Sequence, residues 1–472
     1  MFRILIVVLI VIAIVVFGTM QWYEEPKPEF VEISSTQVDG NAEIIQASAD
    51  GMLLAYTNAI NQSIGFADLS DPFNPLLLGS VDVPGEPTSV ALSPDGNWAL
   101  ATVHVSPAEE GEAPADLRLP GVLVVVDLQD RSAPRVVSII GIDNQPDSIA
   151  LSEAGDELVA VIAIENEEVY VKDGLVVDTE NPGDATDISP PGVVQIVRIN
   201  PDKPRSWSVA TLEIPPELLS NALMLNSDDP QPEYVTLSPG RHMAAVSLQE
   251  NNGLLLVDLA TAEIAGAFNL GAVSDRPADL KADNKVSLTQ KYPADVSEKS
   301  LALGTRNPDS IAFSPDGQYL LSADEGEAPM TGGRGISIWS LNGELAWDDG
   351  GDIEKRAAAL GLYPDERSEK KGVEMEGIAA GRFGSRDFVF AVSERGSFLV
   401  IYDISNPYAP EFVDILPTGK APESVIAIPS RNLVIVAAEE SGTLTIFRYE
   451  SAEEPAATND TPVEPAEQPA TP

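Results

Sequence analysis

Residues 307–317 read NPDSIAFSPDG: a proline-acid-serine start, an alternating apolar run and a Ser-Pro-Asp-Gly turn. Proline presets φ for a turn and glycine supplies φ > 0, so the stretch reads as a strand running into a tight hairpin. The signature recurs at 41–51 (NAEIIQASADG), 86–96 (EPTSVALSPDG), 145–156 (QPDSIALSEAGD), 231–240 (QPEYVTLSPG), 374–384 (EMEGIAAGRFG) and 421–432 (APESVIAIPSRN). A β-rich run follows each copy, as in YLLSAD, FVFAVS and LVIVAA. Third strands end alike in three units, at Asp68…Pro75, Asp127…Pro134 and Asp403…Pro410, before a fourth strand such as LLLGSVDV, RVVSIIGI or EFVDIL.

Seven units of four short antiparallel strands predict an all-β, seven-bladed β-propeller over 30–450. The last unit has no fourth strand of its own, and FVEISSTQV at 30–38 is expected to supply it and close the ring. Uneven spacing between copies places insertions at 167–191, 274–306 and 343–372, the last with a short helix in DIEKRAAALGL.

The two ends read differently. One cation, Arg3, precedes an apolar run from Ile4 to Phe17, and Gln21-Trp22-Tyr23 resembles an interfacial belt. About 20 residues suffice to cross a bilayer, so 1–25 predicts an N-terminal transmembrane helix. The protein is then membrane-anchored and extracytoplasmic, in the periplasm or at the cell surface, with a cleaved signal peptide as the alternative. Residues 451–472 are rich in Pro, Ala, Thr and acids, and predict a disordered tail.

Composition narrows the chemistry. Against 28 Lys+Arg stand 74 Asp+Glu, a net charge of -46, which excludes nucleic acid as a partner. The absence of Cys removes thiol catalysis and Cys-ligated metals, and two His make a Ser-His-Asp triad improbable. Carboxylate, hydroxyl and backbone chemistry is left.

In an antiparallel blade, the loop into the first strand and the loop out of the second share a face. At the first-strand position the units carry Glu43, Thr88, Asp147, Glu233, Asp309, Glu376 and Glu423. At the end of the second strand stand Glu325, Glu394 and Glu439, with Glu165 and Glu250 in looser register. These acids are expected around one mouth of the central channel. Crowded oxygen ligands favour a hard divalent cation such as Ca²⁺. Alternatively, each acid caps backbone N–H groups of the next blade. Arg334 and Arg395 belong to the same loops and are candidates for an anionic group, or partners of the neighbouring acids. His104, beside the exceptional Thr88, is the candidate catalytic base. His242 falls in a hairpin turn and reads as surface.

The stretch NPDSIAFSPDGQYLLSADEGEA, with EGIAAG…FVFAVSERGSFLVIYDISNPYAPEFVDIL and ESVIAIPSRNLVIVAAEESGTLTIFRYE, resembles the choice-of-anchor I family of exported bacterial propeller proteins. The resemblance is best over 307–449 and weaker over 41–270. It implies a propeller, in a family where some members carry alkaline-phosphatase or phytase-esterase labels, and it brings no catalytic motif. The reading is a propeller that binds a protein or small-molecule ligand on its acidic face with a divalent cation. Its alternatives are a Ca²⁺-dependent phosphoesterase and a lactonase-like hydrolase using His104.

Overall fold

The computed structural model describes residues 29–105, 121–166, 169–177, 183–273, 276–292, 304–326 and 332–450. The repeated turns share one chemistry. The Ser93 hydroxyl donates to Asp95 Oδ1 (2.6 Å) and accepts the Trp98 N–H (3.0 Å), while the Gly96 N–H donates to the Ser93 carbonyl (2.8 Å). Ser48 to Gly51 and Ser314 to Gly317 repeat the pattern. In 238–241 glycine falls one place early, so Arg241 takes the left-handed φ of 53° and donates its N–H to the Ser238 carbonyl.

Each hairpin grows into a four-stranded antiparallel sheet. Blade 1 is Ile45–Ala47, Leu53–Asn58, Ser63–Asp68 and Leu76–Asp82; blade 2 is Glu86–Leu92, Trp98–His104, Val122–Asp127 and Arg135–Gly141. Blade 3 is Pro146–Ala154, Glu157–Ile164, Val193–Ile199 and Trp207–Glu213; blade 4 is Pro232–Leu237, Met243–Leu248, Gly253–Asp258 and Glu263–Asn269. Blade 5 is Pro308–Phe313, Tyr319–Asp324, Gly335–Ser340 and Leu345–Asp348; blade 6 is Met375–Phe383, Arg386–Ser393, Phe398–Asp403 and Glu411–Pro417. Blade 7 takes Pro422–Ile428, Leu433–Ala438 and Thr443–Tyr449 from the C-terminal side and Phe30–Gln37 from the N-terminal side. The seven blades and the closing strand are those expected from the repeats.

First strands touch first strands all the way round, and Pro422–Ile428 meets Ile45–Ala47 to complete the ring. The apolar core lies between neighbouring sheets: Leu53 and Phe66 pack with Val90 and Val124, and Leu100 and Leu123 pack with Leu151 and Ile162. Second strands are buried throughout, as at Leu53–Asn58, whereas the fourth strand Leu76–Asp82 is largely exposed. Asp68, Asp127 and Asp403 end third strands by accepting the N–H two residues on, from Ser70, Gln129 and Ser405, an Asx turn that releases the chain into the fourth strand. Residues 32–448 make one compact unit. In the other, Glu450 donates its N–H to the Glu29 carbonyl (2.7 Å) and the rings of Phe30 and Tyr449 lie 5.2 Å apart.

The insertions carry their own small elements. Tyr170–Lys172, Leu175–Val176 and Thr186–Asp187 form a three-stranded sheet, Arg276–Ala278 pairs with Gln290–Tyr292, and Asp352–Leu360 is the expected helix. Among the described residues no helix is long and apolar enough to cross a membrane. The nine-residue helix Asp352–Leu360 spans about 14 Å at 1.5 Å per residue, against a hydrocarbon core of about 30 Å. This corrects the expected transmembrane helix, and with it the membrane partner, the membrane-anchored function and the membrane-tethered extracytoplasmic placement. The apolar run at 1–25 and the tail at 451–472 lie outside the described residues.

Closure at blade 7 predicts the effect of truncation. A chain starting at Val38 loses the Phe30–Gln37 strand and exposes the edge of Thr443–Tyr449. At about 1 kcal/mol per backbone hydrogen bond lost, removing this eight-residue edge strand is expected to destabilise the fold, read as a lower denaturant midpoint. An unchanged midpoint would show that the ring closes without this strand.

Candidate functional site

Six first strands begin with a break in register. Pairing skips between Pro87 and Ser89, Pro146 and Ile149, Pro232 and Val235, Pro308 and Ile311, Met375 and Ile378, and Pro422 and Ser424. The gaps contain Thr88, Asp147, Glu233, Asp309, Glu376 and Glu423, the positions singled out in the repeats. A bulge re-aims side chains and takes backbone groups off the ladder. Serines collect N–H groups across blade boundaries: Ser148 Oγ accepts from Val235 (3.2 Å), Ser424 Oγ from Ile45 (3.4 Å), and Ser310 Oγ from Ile378 (2.8 Å) while donating to the Glu376 carbonyl (2.7 Å). The stitch between these blades is therefore made by the serine that follows the acid.

The acids point inward. Asp147, Asp309, Glu376 and Glu423 line one cavity of 170 Å³ with Thr88 and Tyr234, and among the described residues no Lys, Arg or His lines it. A second feature brings the strand-end acids to the same face. Gln145, Asn307, Glu374 and Ala421 all adopt left-handed φ of 47–51° just before the first strand. Their carbonyls accept the N–H groups of Glu165 (3.2 Å), Glu325 (3.2 Å), Glu394 (2.9 Å) and Glu439 (2.7 Å) respectively.

In blade 6 the left-handed residue is itself an acid. Glu325, Glu374 and Glu376 offer carboxylate oxygens within 4.8 Å of one another, a set able to hold a divalent cation. The sequence reading missed Glu374. Its signal was Glu374-Met375-Glu376 standing where blade 5 has Asn307-Pro308-Asp309, so that two acids flank the residue replacing proline.

Three cations border this cluster. Lys371 Nζ donates to Glu325 Oε1 (2.7 Å), whose other oxygen accepts from Gln249 Nε2 (2.6 Å). Arg367 and Arg395 hold the two oxygens of Glu374, and Arg395 also pairs with Glu394 (2.9 Å). Arg334 is buried. Its guanidinium donates to the carbonyls of Asp279 (3.1 Å), Ser368 (2.8 Å) and Lys370 (2.8 Å) and lies 3.6 Å from Glu354, so it fixes the segment that delivers Lys371 and Glu374. Gly372 belongs to that segment, with φ of 65°, and a Cβ there would sit 2.2 Å from Glu354 Oε1. His104 ends the second strand of blade 2 opposite Glu86 and is not among the cavity-lining residues. His242 is exposed in its turn.

Burial and mutual repulsion raise the acids together. Burial, then Glu439 and Glu86, pushes Glu43 from 4.5 up to about 7. Burial raises Asp309 to about 7 against a hydrogen bond with Glu376, and Glu376 is pushed well up by burial and by Asp309. Glu423 rises to about 10 through burial, then Glu376, Glu394, Glu439 and Glu43. Glu233 is raised by burial and by Glu250, Glu165, Asp309 and Asp147, and Glu325 by burial and Glu376, partly offset by Lys371. Glu394 reaches about 7 through burial, with Arg395 opposing. These interactions link Glu43, Asp147, Glu233, Asp309, Glu325, Glu376, Glu394, Glu423 and Glu439 in one electrostatic neighbourhood.

The profile of the choice-of-anchor I domain matches residues 43–295 and 328–407, well over half of the chain. The protein belongs to the choice-of-anchor I family. The match takes in the stretch before 270, where the resemblance had been weaker. No curated protein matches. Among solved structures, the RRP9 WD40 repeats share 8% identity over 89% of this chain and 98% of theirs, at a TM-score of 0.53. The Myceliophteria thermophila Cps50 (Swd1) beta-propeller domain shares 12% over 88% of this chain and 98% of its own, at 0.52. Kuenenia stuttgartiensis hydrazine synthase shares 16% over 88% and 97%, at 0.49. The first two likenesses show the fold alone.

A carboxyl with a raised folded pKa favours the folded state while protonated, and that contribution is lost as pH rises through the folded value. For this family member the loss runs from about 4.5 through about 7 at Glu43, and on to about 10 at Glu423. In chelator, stability should therefore fall between pH 5 and 9, by about 3 kcal/mol for a carboxyl moved from 4.5 to 7. Melting at pH 5, 7 and 9 checks this, and Glu376→Gln should flatten the decline. Stability rising over that range would contradict the repulsion described.

Proposed function

We propose that this propeller binds a divalent cation, Ca²⁺ by its all-oxygen donor set, at the junction of the three-carboxylate cluster and the channel cavity. The observation that carries the reading is the double membership of Glu376. It belongs to the cluster with Glu325 and Glu374 and lines the cavity with Asp147, Asp309 and Glu423. Glu376 would ligate from both sides, with Glu325, Glu374 and Asp309 as its nearest companions and Glu43, Asp147, Glu233, Glu394, Glu423 and Glu439 supplying further negative potential. A bound cation relieves the repulsion that otherwise keeps several of these groups protonated. Lys371 and Arg395 make the edge of the site the place where an anionic part of a ligand would meet the cation.

The hydrolytic alternatives ask more of the molecule. Of the two arginines that a phosphoesterase would put on the phosphate, Arg334 spends its guanidinium on three carbonyls, which leaves Arg395, already paired with Glu374 and Glu394. A lactonase would use His104, which lies off the cavity lining. Cation binding needs neither.

A ligand that binds only the folded state stabilises it by mass action, about 2.7 kcal/mol at a hundredfold excess over Kd. Adding Ca²⁺ after chelator should raise the melting temperature, and Glu376→Gln should abolish the rise; no rise in the wild-type protein would refute the reading. Lys371 places an ammonium on a ligand oxygen, so Lys371→Met should tighten Ca²⁺ binding about tenfold, the equivalent of about 1.4 kcal/mol. Weaker binding by that variant, measured by calorimetry, would show that the lysine supports the site and does not compete for it.

A further inference from the structure

A second concavity lies on the same face as the acids, over the outer part of blade 3. It encloses 570 Å³, within the range of small-ligand sites, and it is separate from the channel acids. Its walls are rigid and apolar: Pro190, Pro191, Pro216, Pro230 and Ile214. Gly192 donates its N–H to the Pro230 carbonyl (2.8 Å), and a Cβ at Gly192 would meet Pro232 at 2.4 Å and the Glu165 and Pro230 carbonyls at 2.5 Å. The wall can approach this closely only because that residue is glycine.

Beside Asn144 and Thr211, the cleft is lined by one orphaned acceptor and three carboxylates. Asn166 is 4% exposed; its Nδ2 donates to the Pro191 carbonyl (3.2 Å), while its Oδ1 is buried with no hydrogen-bond partner. Buried acceptors without a donor are rare in native proteins and call for an explanation. Asp143, Glu213 and Asp228 also line the cleft, and among the described residues no Lys, Arg or His does. Asp143 is held in place: its N–H donates to Gln195 Oε1 (3.1 Å), and Gln195 Nε2 donates back to Asp143 Oδ2 (2.9 Å) and to Thr211 Oγ1 (3.0 Å). Gln195 is 3% exposed, so its orientation is fixed by packing and the carboxylate is oriented before any ligand arrives.

We infer that this cleft is a binding site for an alkylammonium group, its cationic head donating to Asn166 Oδ1 and the carboxylates and its hydrocarbon lying on the prolines. The head supplies a donor for Asn166 Oδ1 and a positive charge for the carboxylates, and the chain suits the apolar walls. The source of the group is a free diamine or the side chain of a lysine.

The test is calorimetry on the Ca²⁺-saturated full chain, so that the channel acids are occupied. 1,4-Diaminobutane and Nα-acetyl-lysine methylamide are the probes, with 1,4-butanediol as the neutral control. At least one amine should bind with one-to-one stoichiometry and the diol should not; the tighter amine identifies the source. Asp143→Asn with Glu213→Gln should weaken binding tenfold or more, and Asp228→Asn, at another exposed position, gives a second measure of the same loss. Amine binding that these variants leave unchanged is general attraction to a chain of net charge -46 and overturns the proposal, as does binding of the diol or of neither amine. None of these outcomes depends on whether Glu376 ligates Ca²⁺.

Discussion

Like charge confined at the hub of a ring is the constraint on which this molecule turns. Every blade presents its first strand to the centre, and six of those strands are bulged at the residue that reaches it. Proline just before the register break in five of the six bulged strands brings no N–H to be lost, the bulge turns the next side chain inward, and the following serine repairs the backbone across the blade boundary in the clearest cases. The same few residues thus do two jobs. They join neighbouring sheets and they set carboxylates where water is scarce. Burying an ionised group without a partner is costly, so the acids settle for protonation, for Lys371 and the arginines at the rim, or for a cation.

Blade 6 shows how a small departure from the repeat makes a site. Its first strand starts with Met375 where the other five bulged strands have proline, and the left-handed residue before it is Glu374. Two acids then flank one residue, close to Glu325 of blade 5. The 343–372 insertion serves this corner, because Arg334 grips its carbonyls and carries Lys371 up to Glu325. Architecture and chemistry meet here: the insertion is packed as a strut, and its end delivers charges to the channel.

Much of this was legible in the sequence. The Ser-Pro-Asp-Gly turns, the Asp that ends three third strands and the missing fourth strand of the last unit suffice for seven blades and for closure by 30–37, because turn chemistry and alternation are local properties. The acid positions were legible too, since they repeat. The bulges were not, because register depends on the partner strand, and without them the stitching could be credited to the acids and not to the serines. Glu374 was hidden by the substitution of the proline that marks five of the other six copies. Arg334 could be read as gripping an anion or as pairing with an acid, and its burial and carbonyl contacts are tertiary facts that sequence does not carry. The N-terminal apolar run was read from hydropathy alone, and the described helices give the membrane anchor no support.

The central claim is that bulge-directed carboxylates make a cation site at the hub. It is tested most directly by a crystal structure of the protein grown with Mn²⁺ in place of Ca²⁺ and examined for anomalous scattering. The account predicts a peak within coordination distance of Glu376 and of at least one of Glu325, Glu374 and Asp309. Peaks confined to the outer surface, with the hub carboxylates bonded only to one another, would contradict it.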